Sequence, residues 1–367
     1  MVGTEMLLRW DPCVKHDGAD AWSFIADYFG TGDRATLLVA GAGFDPRATL
    51  VPTALSAACG NNLRSVLFRE ERRTAEPENR SRAEANVEQL SKLAGELEVV
   101  PLEIFAEDGA VTGGRRAVAH VHGQDLTSFS DVVLDLSALS KGVAFPLAKL
   151  FLGMIDSGQL KANLHLVVVD DDATDARITP TSSDKVEEIH GFGGGRTLSG
   201  TVDRVQLWIP HLVSGQQSVT DRIFDALDPD EVCPILPFPS RDPCRPSELL
   251  YQFREQIEGR WEVSEGGFMF ASESDPLDLY RATLRVDSQR AAVFAESRGA
   301  LTVVSPLGSK ALSIGALMAA LERNLPIVHV EAVGYDVDWE ANEIASGANN
   351  LVHIWLAGDA YAEIEET

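Results

Sequence analysis

Basic residues are scarce in this sequence, and the shortage excludes some classes of partner. The chain carries 31 Lys and Arg residues against 56 Asp and Glu residues, which gives a formal net charge of −25. Affinity for DNA without sequence preference comes mainly from neutralising phosphates, and anionic membrane surfaces likewise attract basic segments. We therefore expect neither duplex DNA nor a membrane among the partners of this chain.

Cysteine and long apolar runs are scarce as well. The 4 cysteines form no CxxC pair and have no histidine at metal-ligand spacing, so we expect neither a disulfide framework nor a metal site. No stretch approaches the roughly 18 apolar residues of a transmembrane helix. Residues 1–10 lack the apolar run of a signal peptide. Together these features predict a cytoplasmic protein without a metal or cofactor.

Short apolar segments alternate with helical patterns along the first half of the chain. At roughly 100–200 residues per domain, 367 residues predict two domains. The strand-like segments of the first half are residues 35–41, 64–69, 99–105, 132–136 and 164–169. Strands this apolar, separated by helices, are typical of a parallel sheet that is covered on both faces. Residues 1–170 are therefore predicted to form a Rossmann-like, doubly wound unit.

A polar, glycine-rich break separates this unit from a second one. It begins at the acidic run 170–172 and includes the sequence GFGGG at residues 191–195. We predict a linker or mobile loop over residues 171–203. The alternation resumes at residues 205–209, so residues 204–367 are predicted to form a second Rossmann-like unit. Residues 351–356 (LVHIWL) are expected to close that unit as an edge strand.

One local pattern occurs in both halves. Residues 132–141 read VVLDLSALSK and residues 301–310 read LTVVSPLGSK, each followed by an apolar helical stretch. In both segments an apolar strand ends in a small polar turn, and Ser-Lys opens the helix. We interpret the chain as an α/β protein of two parallel-rich units that arose by divergent internal duplication.

The turn after the first strand is the first candidate site. Ligands of open α/β sheets lie beyond the carboxyl ends of the strands, near the point where the strand order reverses. Gly41 and Gly43 allow a tight turn and a close backbone approach, and Asp45 and Arg47 open the next helix. Pro46 replaces the third glycine of GxGxxG, so the dinucleotide fingerprint is incomplete. A capped helix start without a ligand remains the alternative.

The paired Ser-Lys turns are the second candidate. A lysine in the first turn of a helix is disfavoured by the helix dipole, and a bound anion would offset that cost. We therefore expect phosphate contacts from residues of both turns, although the simpler alternative is that the serines only cap helices and the lysines reach water. The candidate residues are Asp135, Ser137, Ser140 and Lys141 in the first turn, and Ser305, Gly308, Ser309 and Lys310 in the second.

Two further residues are candidates for ligand contact. His211 follows the strand at residues 205–209, where its side chain could reach the crevice. Arg241 lies in the proline-rich segment 232–249, which equally suits a stiff crossover or a docking surface. No GxSxG segment is present, and no nucleophile–base or metal-dependent signature stands out, so no catalytic residue is assigned.

The two-half layout and the segments at residues 135–141 and 305–310 resemble the CARF and SAVED sensor families. Those are Rossmann-like domains, paired as two chains or two fused halves, that bind cyclic or linear oligonucleotide signals in prokaryotic antiviral systems. Such sensors usually carry an attached effector. Because no segment of this sequence is left over for one, the resemblance implies that the effector is a separate chain.

Three functions remain open on the sequence. The first is a ligand-sensing or adaptor subunit that binds a phosphate-bearing, nucleotide-type small molecule and acts with a separate protein, or as a homo-oligomer, in antiviral defence. The second is a metal-independent enzyme acting on a nucleotide or sugar phosphate. The third is a non-catalytic scaffold whose acidic and proline-rich surfaces bind other proteins.

Overall fold

The computed structural model describes residues 8–32, 34–193, 203–339 and 350–361. The chain divides into two compact units, one formed by Met1–Arg177 together with Val337–Thr367 and the other by Ile178–Asp336. Among the described residues, no helix is both long enough and apolar enough to span a membrane.

Strands and helices alternate through most of both units. The strands are β1 (Lys15–Asp17), β2 (Thr36–Gly41), β3 (Leu63–Glu71), β4 (Glu96–Glu103), β5 (Asp131–Asp135), β6 (Asn163–Val169), β7 (Ile178–Ser182), β8 (Glu187–Glu188), β9 (Val205–Pro210), β10 (Glu231–Val232), β11 (Ile235–Pro237), β12 (Met269–Ala271), β13 (Ala300–Ser305), β14 (Val328–His329), β15 (Ala332–Val337) and β16 (Leu351–Ala357). The helices are α1 (Gly18–Gly30), α2 (Leu50–Cys59), α3 (Pro77–Leu90), α4 (Gly113–His122), α5 (Lys141–Asp156), α6 (Asp172–Asp175), α7 (Gln217–Leu227), α8 (Arg245–Gln252), α9 (Pro276–Val293) and α10 (Lys310–Arg323). Short 3-10 turns at Pro46–Thr49, Gly60–Asn62 and Asp359–Tyr361 and a π-helical turn at Glu255–Arg260 complete them.

The first unit is built on a seven-stranded sheet in the order β1-β16-β6-β5-β2-β3-β4. Strands β2 to β6 are mutually parallel, and β16 joins β6 in antiparallel orientation. Every residue of β2, β5 and β6 is buried, as expected for strands covered on both faces. Counted from β2, the parallel strands follow the order 3-2-1-4-5, which makes the unit Rossmann-like and confirms the predicted fold class.

Helices α1 and α2 cover one face of this sheet. Ile25 and Phe29 of α1 and Leu55 of α2 pack with Leu38 of β2 and Val167 of β6 in one buried apolar cluster. Helices α4 and α5 pack against each other. The sequence forms these layers because its strands are apolar throughout while its helices are apolar mainly on one face.

The second unit has a smaller parallel sheet. Strand β9 lies between β10 and β13, and β11 pairs with β12, all in parallel orientation. Parallel bridges from His211 to Ile235 and from Val304 to Ile327 extend this arrangement to β11 on one side and towards β14 on the other. Strands β10 and β11 follow each other along the same side of β9 and together take one place in the order. The order is then β12, β10 with β11, β9, β13 and β14, which is again 3-2-1-4-5 counted from β9. This shared order is what a duplication would produce, although the duplication itself stays a prediction.

The C-terminal strand differs from the prediction. We expected residues 351–356 to close the second unit, but β16 lies inside the first sheet, between β6 and β1. Its residues are buried at nearly every position, which suits an inner strand better than an edge strand. The first unit is therefore made of two separate parts of the chain, and the proposed boundaries 1–170 and 204–367 do not coincide with the observed units.

The predicted linker contains regular structure over much of its length. Residues 171–193 include α6, β7 and β8, and these two strands pair with β15 and β14. Asp170 and Asp171 of the acidic run are buried, and the Asp171 side chain caps α6 by accepting from the N–H of Ala173 at 3.0 Å. The rest of the glycine-rich segment, residues 194–202, lies outside the described residues.

Candidate functional site

The strand order of the second unit reverses between β9 and β13, and predicted site residues meet there. The N–H of His211, just after β9, donates to the carbonyl oxygen of Ser305 at the end of β13, at 3.1 Å. The indole N–H of Trp208 donates to Oγ of Ser305 at 2.9 Å. Since Ser305 is fully buried and its hydroxyl bonds to this indole, Ser305 fixes the turn between β13 and α10 in place.

That turn leads directly into the N-terminus of α10. Ser309 is the N-cap residue, and its Oγ accepts from the N–H of Leu312 at 3.1 Å. A Cβ on Gly308 would lie 3.3 Å from Nδ1 of His211, so any side chain there would crowd the imidazole. Lys310 is partly exposed at the first position of the helix. The imidazole, the glycine backbone and the lysine thus share the positive end of a long helix.

Arg241 lies at the same edge of the second sheet. It follows β11 in the chain, and the N–H of Phe238 in the same loop donates to the carbonyl oxygen of Ala271 at the end of β12. Buried Glu273 anchors the loop by accepting from the N–H of Arg241 at 2.8 Å and from the hydroxyl of Ser240 at 3.0 Å. The backbone of Arg241 is therefore held, while its side chain is exposed.

The corresponding edge of the first unit is closed by its own backbone. Strand order reverses there between β2 and β5, and a Cβ on Gly41 would lie only 2.6 Å from the carbonyl oxygen of Ala138. The turn after β5 is therefore packed onto the end of β2. Gly43 is more open, with nothing within 4 Å of its Cβ position. A glycine is therefore needed at position 41 for close packing against the turn after β5.

The carboxylate of Glu70 lies at the N-terminus of α5. The N–H of Ser140, the N-cap residue, donates to Oε1 of Glu70 at 2.7 Å. The other oxygen of Glu70 accepts from Nη2 of Arg72, also at 2.7 Å. This carboxylate lies where an anion would be bound at a helix N-terminus, and it offsets the cost of Lys141 in the first turn. Ser140 and Lys141 thus belong to a helix start that already has a negative partner.

The other candidates of the first unit take part in internal contacts. Arg47 is 1% exposed, and its Nη2 lies 2.7 Å from Oδ2 of Asp45 and 2.8 Å from Oδ1 of Asp175. Burial alone would lower the pKa of Arg47, but the two carboxylates raise it above its usual value. The N–H of Ser137 donates to Asp135 at 2.8 Å, and Oγ of Ser137 accepts from the N–H of Val169 at 2.8 Å. These four candidate side chains stabilise turns of the first unit through contacts with each other and with the backbone. The second unit therefore has the stronger candidate site.

A metal centre has no geometric support in the part of the chain that the structure describes. No group of three or more His, Cys, Asp or Glu side chains is placed there to hold an ion. A different cluster, which the sequence did not point to, joins His16, His165, His353 and Asp131 in the first unit. Its histidines are arranged in a row and not around one point.

Comparison with known proteins adds little to this site. No protein-family model matches the sequence, and no curated protein matches it either. Among solved structures, the chain is similar to the METTL16 MTase domain and to the N-terminal domain of human METTL16 in complex with SAH, with identities of 16% and 15% and a TM-score of 0.23 for both. The alignments cover 44% of this chain and 61% and 63% of those chains, which is less than two thirds of their length. Similarity at this level carries no argument, and the fold assignment rests on the strand order.

Proposed function

We propose that this chain binds a phosphate-bearing, nucleotide-type small molecule at the carboxyl edge of the second unit. One observation carries the proposal. The turn after β9, with His211, and the turn after β13, with Gly308 to Lys310, lie side by side where the strand order reverses. In open α/β sheets this is the place where ligands bind.

The chemistry of the turn suits an anionic group. Backbone N–H groups at a helix N-terminus point towards a bound anion, and the helix dipole adds to the attraction. The ammonium group of Lys310 would add a point charge, and the exposed side chain of Arg241 lies along the same edge of the sheet. The equivalent position in the first unit has Glu70 at the start of α5. We therefore propose one ligand site in the chain, in the second unit.

Within this proposal the chain acts as a sensor or adaptor subunit. It passes on ligand binding to a separate effector protein, or to another copy of itself, in antiviral defence. The resemblance in layout to the CARF and SAVED families and the shared strand order of the two units support this finer role.

Thermal unfolding with a panel of nucleotides and oligonucleotide messengers tests the proposal. A ligand at 100 times its dissociation constant should stabilise the native chain by about 2.7 kcal/mol. At the same ligand concentration the stabilisation should fall to about 1.4 kcal/mol or less in Lys310→Ala, which corresponds to binding at least tenfold weaker. It should persist in the matched control Lys141→Ala, whose lysine opens the equivalent helix beside Glu70. Equal losses in both variants, or none in either, would contradict a site at α10.

An enzyme acting on a nucleotide or sugar phosphate is the second candidate function. The buried imidazole of His211 beside the turn favours it, since histidine can carry a proton during phosphate chemistry. Under this alternative, wild-type chain would convert a panel compound into product and His211→Asn would bind that compound without converting it. If the wild-type chain binds a panel compound without converting it, the sensor is favoured. If it binds no compound of the panel, the scaffold is favoured.

A further inference from the structure

Three histidines and one aspartate of the first unit form a continuous row of hydrogen bonds. Nδ1 of His16 lies 3.0 Å from Nδ1 of His353, and Nε2 of His353 lies 3.0 Å from Nδ1 of His165. Nε2 of His165 then lies 3.3 Å from Oδ1 of Asp131. The row crosses β1, β16, β6 and β5. It joins residues that are as much as 337 positions apart in the sequence.

The row runs from the surface into the core. His16 is partly exposed, whereas His353, His165 and Asp131 are each 0% exposed. The ring of Phe24 is stacked on His16 at a centroid distance of 4.4 Å and on His353 at 4.3 Å. Water therefore has access to one end of the row only, and an aromatic face lies beside the two outer imidazoles.

The hydrogen bonds fix the tautomer of every ring when Asp131 is ionised. Although burial alone would raise the pKa of Asp131, hydrogen bonds from His165 and Ser130 hold it below its usual value. An ionised carboxylate only accepts, so His165 donates through Nε2 and must accept through Nδ1. His353 therefore donates through Nε2 to Nδ1 of His165, and its own Nδ1 must accept. Nδ1 of His16 then carries a hydrogen and donates it to Nδ1 of His353.

This arrangement has room for one additional proton. Each of the three hydrogen bonds holds one hydrogen, and Nε2 of His16 lies outside them. A second added proton on His16 would place its Nδ1–H against the Nδ1–H of His353, and the hydrogen bond between these two nitrogens would be lost. The row thus has two intact states that differ by a single proton.

We propose that His16, His353, His165 and Asp131 form a proton relay that makes the first unit sensitive to pH. A proton from water binds Nε2 of His16, and the hydrogen on Nδ1 of His16 passes to Nδ1 of His353. The hydrogen on Nε2 of His353 passes to Nδ1 of His165, which becomes an imidazolium ion beside the Asp131 carboxylate. One proton enters, the tautomers of His16 and His353 reverse, and no hydrogen bond is lost.

The charges around the row set the pH at which this occurs. Burial of the His16 ring opposes uptake of the proton and lowers the pKa of His16, while Asp20 and Asp17 nearby favour uptake. Nζ of Lys15 lies 3.0 Å from Oδ2 of Asp17 and offsets part of that carboxylate's charge. At the inner end, Nη1 of Arg34 lies 3.4 Å from Oδ2 of Asp131 and disfavours a second cation. The hydroxyl of Tyr28 donates to Oδ1 of Asp131 at 2.9 Å and keeps the carboxylate ionised. Asp359 faces the same region through Asn163 and adds negative charge there.

Nuclear magnetic resonance of the imidazole nitrogens in the full chain tests the relay directly. At pH 8 we expect Nε2–H on His165 and His353 and Nδ1–H on His16. On acidification all three rings should change together with one midpoint. Three separate midpoints, or Nδ1–H on His353 at pH 8, would overturn the proposal.

A variant of His16, the partly exposed end of the row, distinguishes a proton relay from independent titration of buried histidines. His16→Phe keeps a ring against Phe24 but removes the entry nitrogen, and His16→Gln serves if that variant does not fold. In either variant the shared midpoint of His165 and His353 should fall by more than one pH unit, whereas the exposed control His122→Phe should leave it unchanged. An unchanged midpoint in the His16 variants would overturn the relay.

Discussion

Acidification should lower the stability of the first unit because of two deeply buried histidines, His165 and His353. Burial lowers the pKa of His165 and lowers that of His353 well below its usual value, so both rings stay neutral in the folded chain at neutral pH. An unfolded histidine titrates near 6.5. The stability that these rings contribute is therefore fully present above about pH 6.5 and is lost as the pH falls below that value, because the unfolded chain then binds more protons.

The magnitude follows from linkage. At pH 5, one histidine that stays neutral in the folded state and titrates near 6.5 when unfolded costs about 2 kcal/mol of stability. Two such rings cost about 4 kcal/mol. If the relay takes up one proton without unfolding, His16 must be counted as well: the unfolded chain protonates three rings and the folded row holds one proton, so the cost is still that of two rings, about 4 kcal/mol.

Hydrogen exchange of amides in β6 and β16 provides the assay, because it reports opening of the first unit by itself. The free energy of opening at pH 7.5 and at pH 5 should be compared in the wild-type chain and in His353→Phe. The variant should lose part of the pH dependence, while its stability at pH 7.5 falls by about 1–3 kcal/mol for the broken hydrogen bonds. Equal pH dependence in the two proteins, or greater stability at pH 5, would refute the reasoning.

Four further predictions concern the two sheet edges and the charge. Lys310→Ala should weaken ligand binding at least tenfold and change the free energy of unfolding by about 0.5 kcal/mol or less, and full binding would exclude Lys310 from the site. Glu70→Gln should destabilise the first unit by about 1–3 kcal/mol in urea unfolding, because Arg72 and the start of α5 lose their carboxylate. Arg47→Met should cost about 3–5 kcal/mol in the same assay, since it leaves the buried carboxylate of Asp45 and the partly exposed carboxylate of Asp175 without their cation, and a cost below 1 kcal/mol would contradict this role. Duplex DNA should not bind more tightly than about 1 μM at roughly 0.15 M salt, and a gel-shift titration checks this.

The sequence predicts the fold class because the inner strands are apolar throughout. The predicted segments 35–41, 132–136 and 164–169 agree with β2, β5 and β6 to within a residue at each end. The partner of β16 could not be predicted in this way, because a buried apolar strand looks the same in either sheet. Its place beside β6 depends on pairing across about half the chain.

The candidate site is predicted less completely than the fold. The turns after β5 and β13, selected from the sequence for their Ser-Lys pairs, lie at points of strand-order reversal in the structure. The sequence does not show that Glu70 reaches the start of α5, since that contact joins residues 70 positions apart. The histidine row was missed for a similar reason, because three isolated histidines form a row only when β1, β16 and β6 pair in one register.

The position of β16 has a consequence for biosynthesis. Strand β1 pairs with β16, so residues near the N-terminus must wait for residues 351–357 before they join the sheet. At translation rates of about 5–20 residues per second, this delay after β6 is on the order of ten to forty seconds. The second unit is one continuous segment and can assemble during that interval. A released chain that is truncated before β16 should therefore contain a protease-resistant second unit together with a first sheet that lacks its last strands.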